Sequence, residues 1–203
     1  MKEKTKGLLT DAAIYAAAFT AAALPFYYIE NIFAASAAFT AAATLFIYVF
    51  TVILKDVSVY DPYWSVAPPV TAIACMIKYG LWNINSFILL AVITVWAVRL
   101  TGNWYITYKG VGHEDWRYAQ YREKYPPFLF QLISFVGLQF VPTAVVYAGL
   151  TGVLFAIQKT EFSALSLFGV VISLGAVALE FVSDRAIHGF LREHKGENRT
   201  CDV

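Results

Sequence analysis

Six apolar stretches alternate with short polar segments along the 203-residue chain: Leu8 to Ile29, Ile32 to Leu54, Val70 to Leu81, Ser86 to Val98 running on into Trp104, Phe128 to Ile157, and Phe162 to Val182. A helix needs about 20 apolar residues to cross the hydrocarbon core of a bilayer, and most of these stretches are near that length. The third is short, so it is predicted to borrow Trp64 to Ala67 or to lie tilted. The pattern predicts an all-α polytopic transmembrane helical bundle of about six spans. It forms a single integral membrane domain over 1–203, with a short leader at 1–7, spans within 8–182 and an amphipathic tail at 183–203. A cleaved signal peptide competes for the first stretch, but its length and the second stretch following after only Glu30 and Asn31 favour a retained span. The heptamer AAFTAAA occurs at Ala17 to Ala23 and again at Ala37 to Ala43. An internal repeat is one explanation; the preferred one is two neighbouring helices whose small residues let their backbones approach closely.

Proline marks the breaks. Asp61-Pro62 and Pro68-Pro69 read as turn punctuation, because a residue before proline is pushed out of the helical region. Pro142 is expected to kink the fifth span. Composition agrees with the membrane reading: 59% of residues are hydrophobic and only 14% charged, more apolar surface than a soluble core of this length could hide. The net charge of +1 argues against a nucleic-acid partner, since binding a phosphate backbone needs a basic face that this sequence does not supply. Cys75 and Cys201, far apart, support no disulfide framework, and Cys201, third from the end, is not a prenylation box.

One polar segment stands out, RLTGNWYITYKGVGHEDWRYAQYREKYPP from Arg99 to Pro127, in which basic and aromatic residues alternate as they do where a bilayer meets water. The same mixture suits an anionic ligand. With the amino terminus placed in the cytoplasm, thirteen basic residues fall on that side: Lys2, Lys4, Lys6, Lys55, Arg99, Lys109, Arg117, Arg122, Lys124, Arg185, Arg192, Lys195 and Arg199. Only Lys78 and Lys159 fall on the other, which predicts both termini in the cytoplasm and an inner, cell-membrane location.

Candidate chemistry gathers on that face. Asp61, between Tyr60 and Trp64 at the mouth of the membrane, is expected to have a raised pKa and to serve as a proton donor; residue type alone favours an ordinary interfacial turn aspartate. Arg99 at the end of a span is explained by snorkelling, although with Arg117 and Arg122 nearby it would also grip a phosphate. His113, Glu114 and Asp115 are adjacent in sequence and rarely converge on one ion, so they read as a solvated acidic turn and no metal is expected. Glu180, Asp184, His188 and Arg192 recur every fourth residue and make one polar stripe if the last span continues as a helix. That stripe is either an interfacial amphipathic helix or one wall of a cofactor pocket.

Asp61, Trp64 and Pro68, then Trp96 and Arg99, then GHEDWRYAQYREKY, and finally SDRAIHGFLREHKGENRTCDV resemble a bacterial membrane family related to the steroid 5-alpha-reductases. The most specific part is the block Glu114, Asp115, Arg117, Tyr118 and Arg122. The resemblance implies a membrane protein that holds NADPH in a pocket open to the cytoplasm and reduces a carbon-carbon double bond conjugated to a carbonyl in a lipid-like substrate. It implies cofactor contacts from Arg99, Tyr108, Lys109, Arg117, Asp184 and Arg192, with Tyr60 and Asp61 polarising the substrate carbonyl. Trp96 stands where the steroid reductases have a tyrosine, which argues against a steroid. The family continues with an aromatic-Arg-Tyr-Ser-Arg-His-Pro-Asn-Tyr stretch and a further span that are not in this sequence, so the chain is expected to be an amino-terminal portion, inactive alone. A membrane methyltransferase of the isoprenylcysteine or phospholipid type and a non-enzymatic lipid-binding protein are the alternatives.

Overall fold

The computed structural model describes residues 2–194, and Lys195, Arg199 and Cys201 of the tail lie outside them. In order, the helices are α1 (Lys2–Ala22), α2 (Pro25–Tyr28), α3 (Ile32–Leu54), α4 (Tyr63–Tyr79), α5 (Ile84–Thr107), α6 (Trp116–Lys124), α7 (Pro127–Leu132), α8 (Val141–Ile157) and α9 (Ala164–Glu193). A 3-10 turn, Val57–Tyr60, precedes α4, and a π-helical segment, Ile133–Phe140, joins α7 to α8. There is no strand among the described residues.

Five stretches are long and apolar enough to cross a membrane: Lys2–Tyr28, Ile32–Leu54, Ile84–Thr107, Pro127–Ile157 and Ala164–Glu193. The sixth member is α4, whose 17 residues rise about 26 Å. It packs among α3, α5 and α8, and it reaches back to Tyr63, taking in the residues that the short third stretch was predicted to borrow. The leader does not stand apart, since α1 starts at Lys2. Residues 183–193 of the tail likewise belong to α9, which continues without a break to Glu193.

The two copies of AAFTAAA lie in α1 and α3, which pack together. Ala18, Ala22, Ala35 and Ala43 are buried at that contact, with Phe19 stacked on Phe39 at 5.8 Å between ring centres. Helix boundaries follow local chemistry. Asn31 caps α3 by accepting from the amides of Phe33 and Ala34, both at 3.0 Å, and Lys55 ends it in the left-handed region at φ 54°.

The prolines depart from expectation in an informative way. Pro68 and Pro69 do not break the chain but lie buried inside α4. Each removes one amide donor, and packing against three neighbouring helices outweighs that loss where no water competes for the backbone. Pro142 lies in the first turn of α8, directly after the π-helical segment. There the amide of Val141 bonds the carbonyl of Val136, five residues back, so the helix widens ahead of the proline instead of snapping.

Consecutive spans run in alternate directions, so the start of α1, the end of α3, the start of α4, the end of α5, the start of α7 and the end of α9 meet at one end. Hydrogen bonds tie that end together. Lys4 Nζ donates to the carbonyl of Tyr105 at 2.6 Å, and the Gly112 amide donates to Asp56 Oδ2 at 2.7 Å.

Candidate active site

The polar end is built around the corner from Asp56 to Asp61. Asp56 caps the 3-10 turn through the Ser58 amide at 2.9 Å while its other oxygen holds Gly112. The Glu114 carboxylate accepts from the Val57 amide at 2.9 Å, and Ser58 Oγ accepts from the Asp115 amide at 2.8 Å. Arg122 closes the clamp, with Nη2 and Nε on Glu114 at 2.7 and 3.0 Å and Nη2 also on the Lys55 carbonyl at 3.1 Å. Glu114 and Asp115 are therefore not a solvated acidic turn. They latch the α5–α6 loop onto the α3–α4 corner, because a partly buried carboxylate is stable only when donors surround it. Among the described residues no cluster of metal-ligating side chains forms.

Asp61 sits at the end of this corner and is partly buried. Tyr118 Oη donates to Asp61 Oδ1 at 2.7 Å. Burial pushes the Asp61 carboxyl up to about 7; the Tyr118 hydrogen bond opposes the rise, the nearby Asp115 charge adds to it, and Arg117 opposes it again. Tyr118 is itself raised, by burial and then by Asp61. Tyr60 behaves differently. Its side chain is buried, its hydroxyl donates to the Gln139 carbonyl at 2.8 Å and lies 2.8 Å from Thr143 Oγ1, and burial lifts its pKa to about 12. Tyr60 thus anchors the corner to α8, and the hydroxyl beside Asp61 is that of Tyr118.

The six residues assigned to a cofactor separate into four places. Arg99 and Asp184 line a cavity of about 600 Å³ between α5 and α9, together with Asn103, Arg185 and His188. Arg99 pairs there with both Glu180 and Asp184. Its side chain is only 12% exposed, so it is held by two carboxylates rather than snorkelling to water, and its Nε is buried without a partner. Tyr108 turns to α1 instead, donating to Asp11 Oδ2 at 2.6 Å, and its hydroxyl is raised by burial and by that carboxylate. Lys109 is exposed beside it. Arg117 is engaged bidentately by Asp115 at 2.8 and 3.0 Å, which lowers Asp115 and raises Arg117. It faces a second cavity, beside α6. Arg192 is exposed and lines neither cavity.

A family model described as a protein of unknown function, DUF1295, matches residues 47–203. The chain belongs to this family. Comparison with curated proteins and with solved structures gives no match. The DUF1295 match begins within α3 and takes in the corner, its clamp and both cavities. Sequence reasoning passed over Asp11, a buried carboxyl within the first span whose Oδ1 has no partner. A lone carboxyl in an apolar run was the available signal. It also passed over Gln139 and Thr143, whose roles depend on the π-helical register.

Proposed function

We propose that this chain forms part of a membrane-embedded, NADPH-dependent reductase acting on a conjugated carbon-carbon double bond in a lipid-like substrate, with Asp61 as the acid that supports the substrate carbonyl. The observation carrying this reading is the Asp61 carboxyl, held near neutrality by burial and hydrogen-bonded by Tyr118. A carboxyl of that kind keeps a proton through much of the neutral range and can give it to an oxygen as negative charge develops there. Tyr118 occupies Oδ1, so Oδ2 is the oxygen that meets the substrate. After turnover the carboxylate recovers its proton from water at the polar end.

The donors around the α5–α9 cavity fit part of the cofactor. Arg99 Nε is an orphaned buried donor, and the side chains of Asn103, Arg185 and His188 line the same space. A guanidinium, an amide and an imidazole on a largely apolar wall suit the carboxamide end of the cofactor. Glu180 and Asp184 hold Arg99 in place and outweigh its charge, and Arg185 restores the group to neutrality, so this wall suits an uncharged part of the cofactor. When bound, NADPH supplies the hydride that the protein itself lacks. Tyr108, Lys109 and Arg117 lie elsewhere on the polar end and belong to this reading only as residues that shape it.

Calorimetry of the purified full chain in detergent tests the reading directly. NADPH is expected to bind, S-adenosylmethionine is not, and Arg99→Ala is expected to weaken NADPH binding at least about tenfold, the loss of one charged hydrogen-bonding partner. Binding of S-adenosylmethionine in place of NADPH would transfer the chain to the methyltransferases. Binding of neither would remove the cofactor reading altogether.

A further inference from the structure

We propose that the groove beside α6 binds an anionic phospholipid, with the phosphate held by Lys124 and Arg117 and an acyl chain descending along the π-helical segment. The groove has a volume of about 580 Å³. Its upper wall is the outer face of α6, a helix with no buried residue, which carries Arg117, Tyr121 and Lys124 into the space with the exposed ring of Trp116. Its lower wall comes from Gly137, Leu138 and Pro142, in the membrane-spanning stretch that starts at Pro127. Gly137 lies ten residues into that stretch, about 15 Å down a helix from the polar end. The groove therefore changes from cationic and aromatic to apolar over the distance that separates a lipid phosphate from its upper methylenes.

The cations at the top are not equivalent. Among the described residues Lys124 makes no ion pair and lies 5.3 Å from the ring centre of Tyr125. Arg117 is oriented by Asp115, which takes up Nε and Nη2 and leaves Nη1 for another acceptor. A fixed guanidinium beside a free ammonium, flanked by indole and phenol rings, is the composition that recognises an anionic headgroup at the membrane surface. An isolated phosphate would use only the upper half. The apolar lower half, where a Cβ added at Gly137 meets open space, commits the groove to a lipid.

This groove is separate from the α5–α9 cavity and does not rest on the cofactor reading. The test is native mass spectrometry of the full chain released from nanodiscs containing equal amounts of phosphatidylglycerol and phosphatidylcholine. Retention of phosphatidylglycerol is expected to exceed that of phosphatidylcholine, and Lys124→Glu is expected to reduce it at least about fivefold, the effect of one basic residue near an anionic surface. Gly137→Leu, which fills the lower groove without touching a charge, is expected to reduce it as well, while millimolar inorganic phosphate leaves it unchanged. Circular dichroism of both variants separates lost binding from lost fold: a variant that fails to fold is replaced by Lys124→Gln or Gly137→Val, for which the same reductions are expected. Equal retention of the two lipids would overturn the proposal, as would unchanged retention in Lys124→Glu. Displacement by phosphate with no effect of Gly137→Leu would assign the site to a soluble anion instead.

Discussion

Asp61 is the residue whose environment says most about chemistry. Its carboxyl titrates near 7 in the folded protein, against about 4 for an unburied aspartate. Between those values the unfolded chain has lost the proton and the folded chain still holds it, so stability falls as pH rises from about 4 to about 7 and levels off above. Thermal unfolding in detergent across pH 4 to 8 is expected to show that decline, and Asp61→Asn is expected to flatten it. Matching slopes for the two proteins would mean an ordinary solvated carboxylate. Tyr118→Phe removes a bond that favours the charged form and is expected to move the same decline to higher pH. Thr143 serves packing rather than chemistry. Its hydroxyl lies 2.8 Å from Tyr60 Oη and 2.9 Å from Thr44 Oγ1, so Thr143→Val is expected to cost about 1 to 2 kcal/mol, measured by unfolding in a mixed-micelle titration.

Among the elements, α1 does more than cross the membrane. Its first turns dock on the loop after α5 at two glycines. A Cβ at Gly7 would lie 2.5 Å from Tyr108 Oη and 2.9 Å from both Gly110 Cα and the Val111 amide nitrogen, and Gly110 itself has φ +124°. Two of these three close contacts are backbone atoms, which cannot step aside as a flexible side chain would. Gly7→Ala is expected to separate α1 from the loop, break the Tyr108–Asp11 hydrogen bond and cost about 2 to 3 kcal/mol. A melting temperature within a degree of the parent protein would show that the contact is soft. The consequence reaches the candidate site, because the same loop carries Gly112, Glu114 and Asp115, which fasten the corner holding Asp61.

At the scale of the molecule, one end of the bundle collects the corner, its clamp, both cavities and the polar stripe of α9. Eleven of the thirteen basic residues counted by sequence lie among the described residues and gather at that end, while Lys78 pairs with Glu30 at the other, at 3.7 Å. We propose from this asymmetry that the polar end faces the cytoplasm. A phosphatase active only outside the membrane is expected to stay silent when fused after Val203 and to be active when inserted between Lys159 and Glu161. Activity at Val203 would reverse the orientation or remove a span.

Spans, class and the polar end were legible in the sequence because transfer into a bilayer depends on local composition, and a run of about 20 apolar residues is decided by those residues alone. The Glu180, Asp184, His188 stripe was legible for the same reason, as a spacing of four on a helix. What those residues touch was not. The union of Arg99 with Glu180 and Asp184, the choice of Tyr118 rather than Tyr60 as the hydroxyl beside Asp61, and the turning of Tyr108 to Asp11, away from the other cofactor residues, all depend on pairings across 57 to 97 positions of sequence. Pro68 and Pro69 inside α4, and the wider π-helical turn before Pro142, likewise override local preference. Burial against neighbouring helices rewards them, and only the packed bundle supplies it.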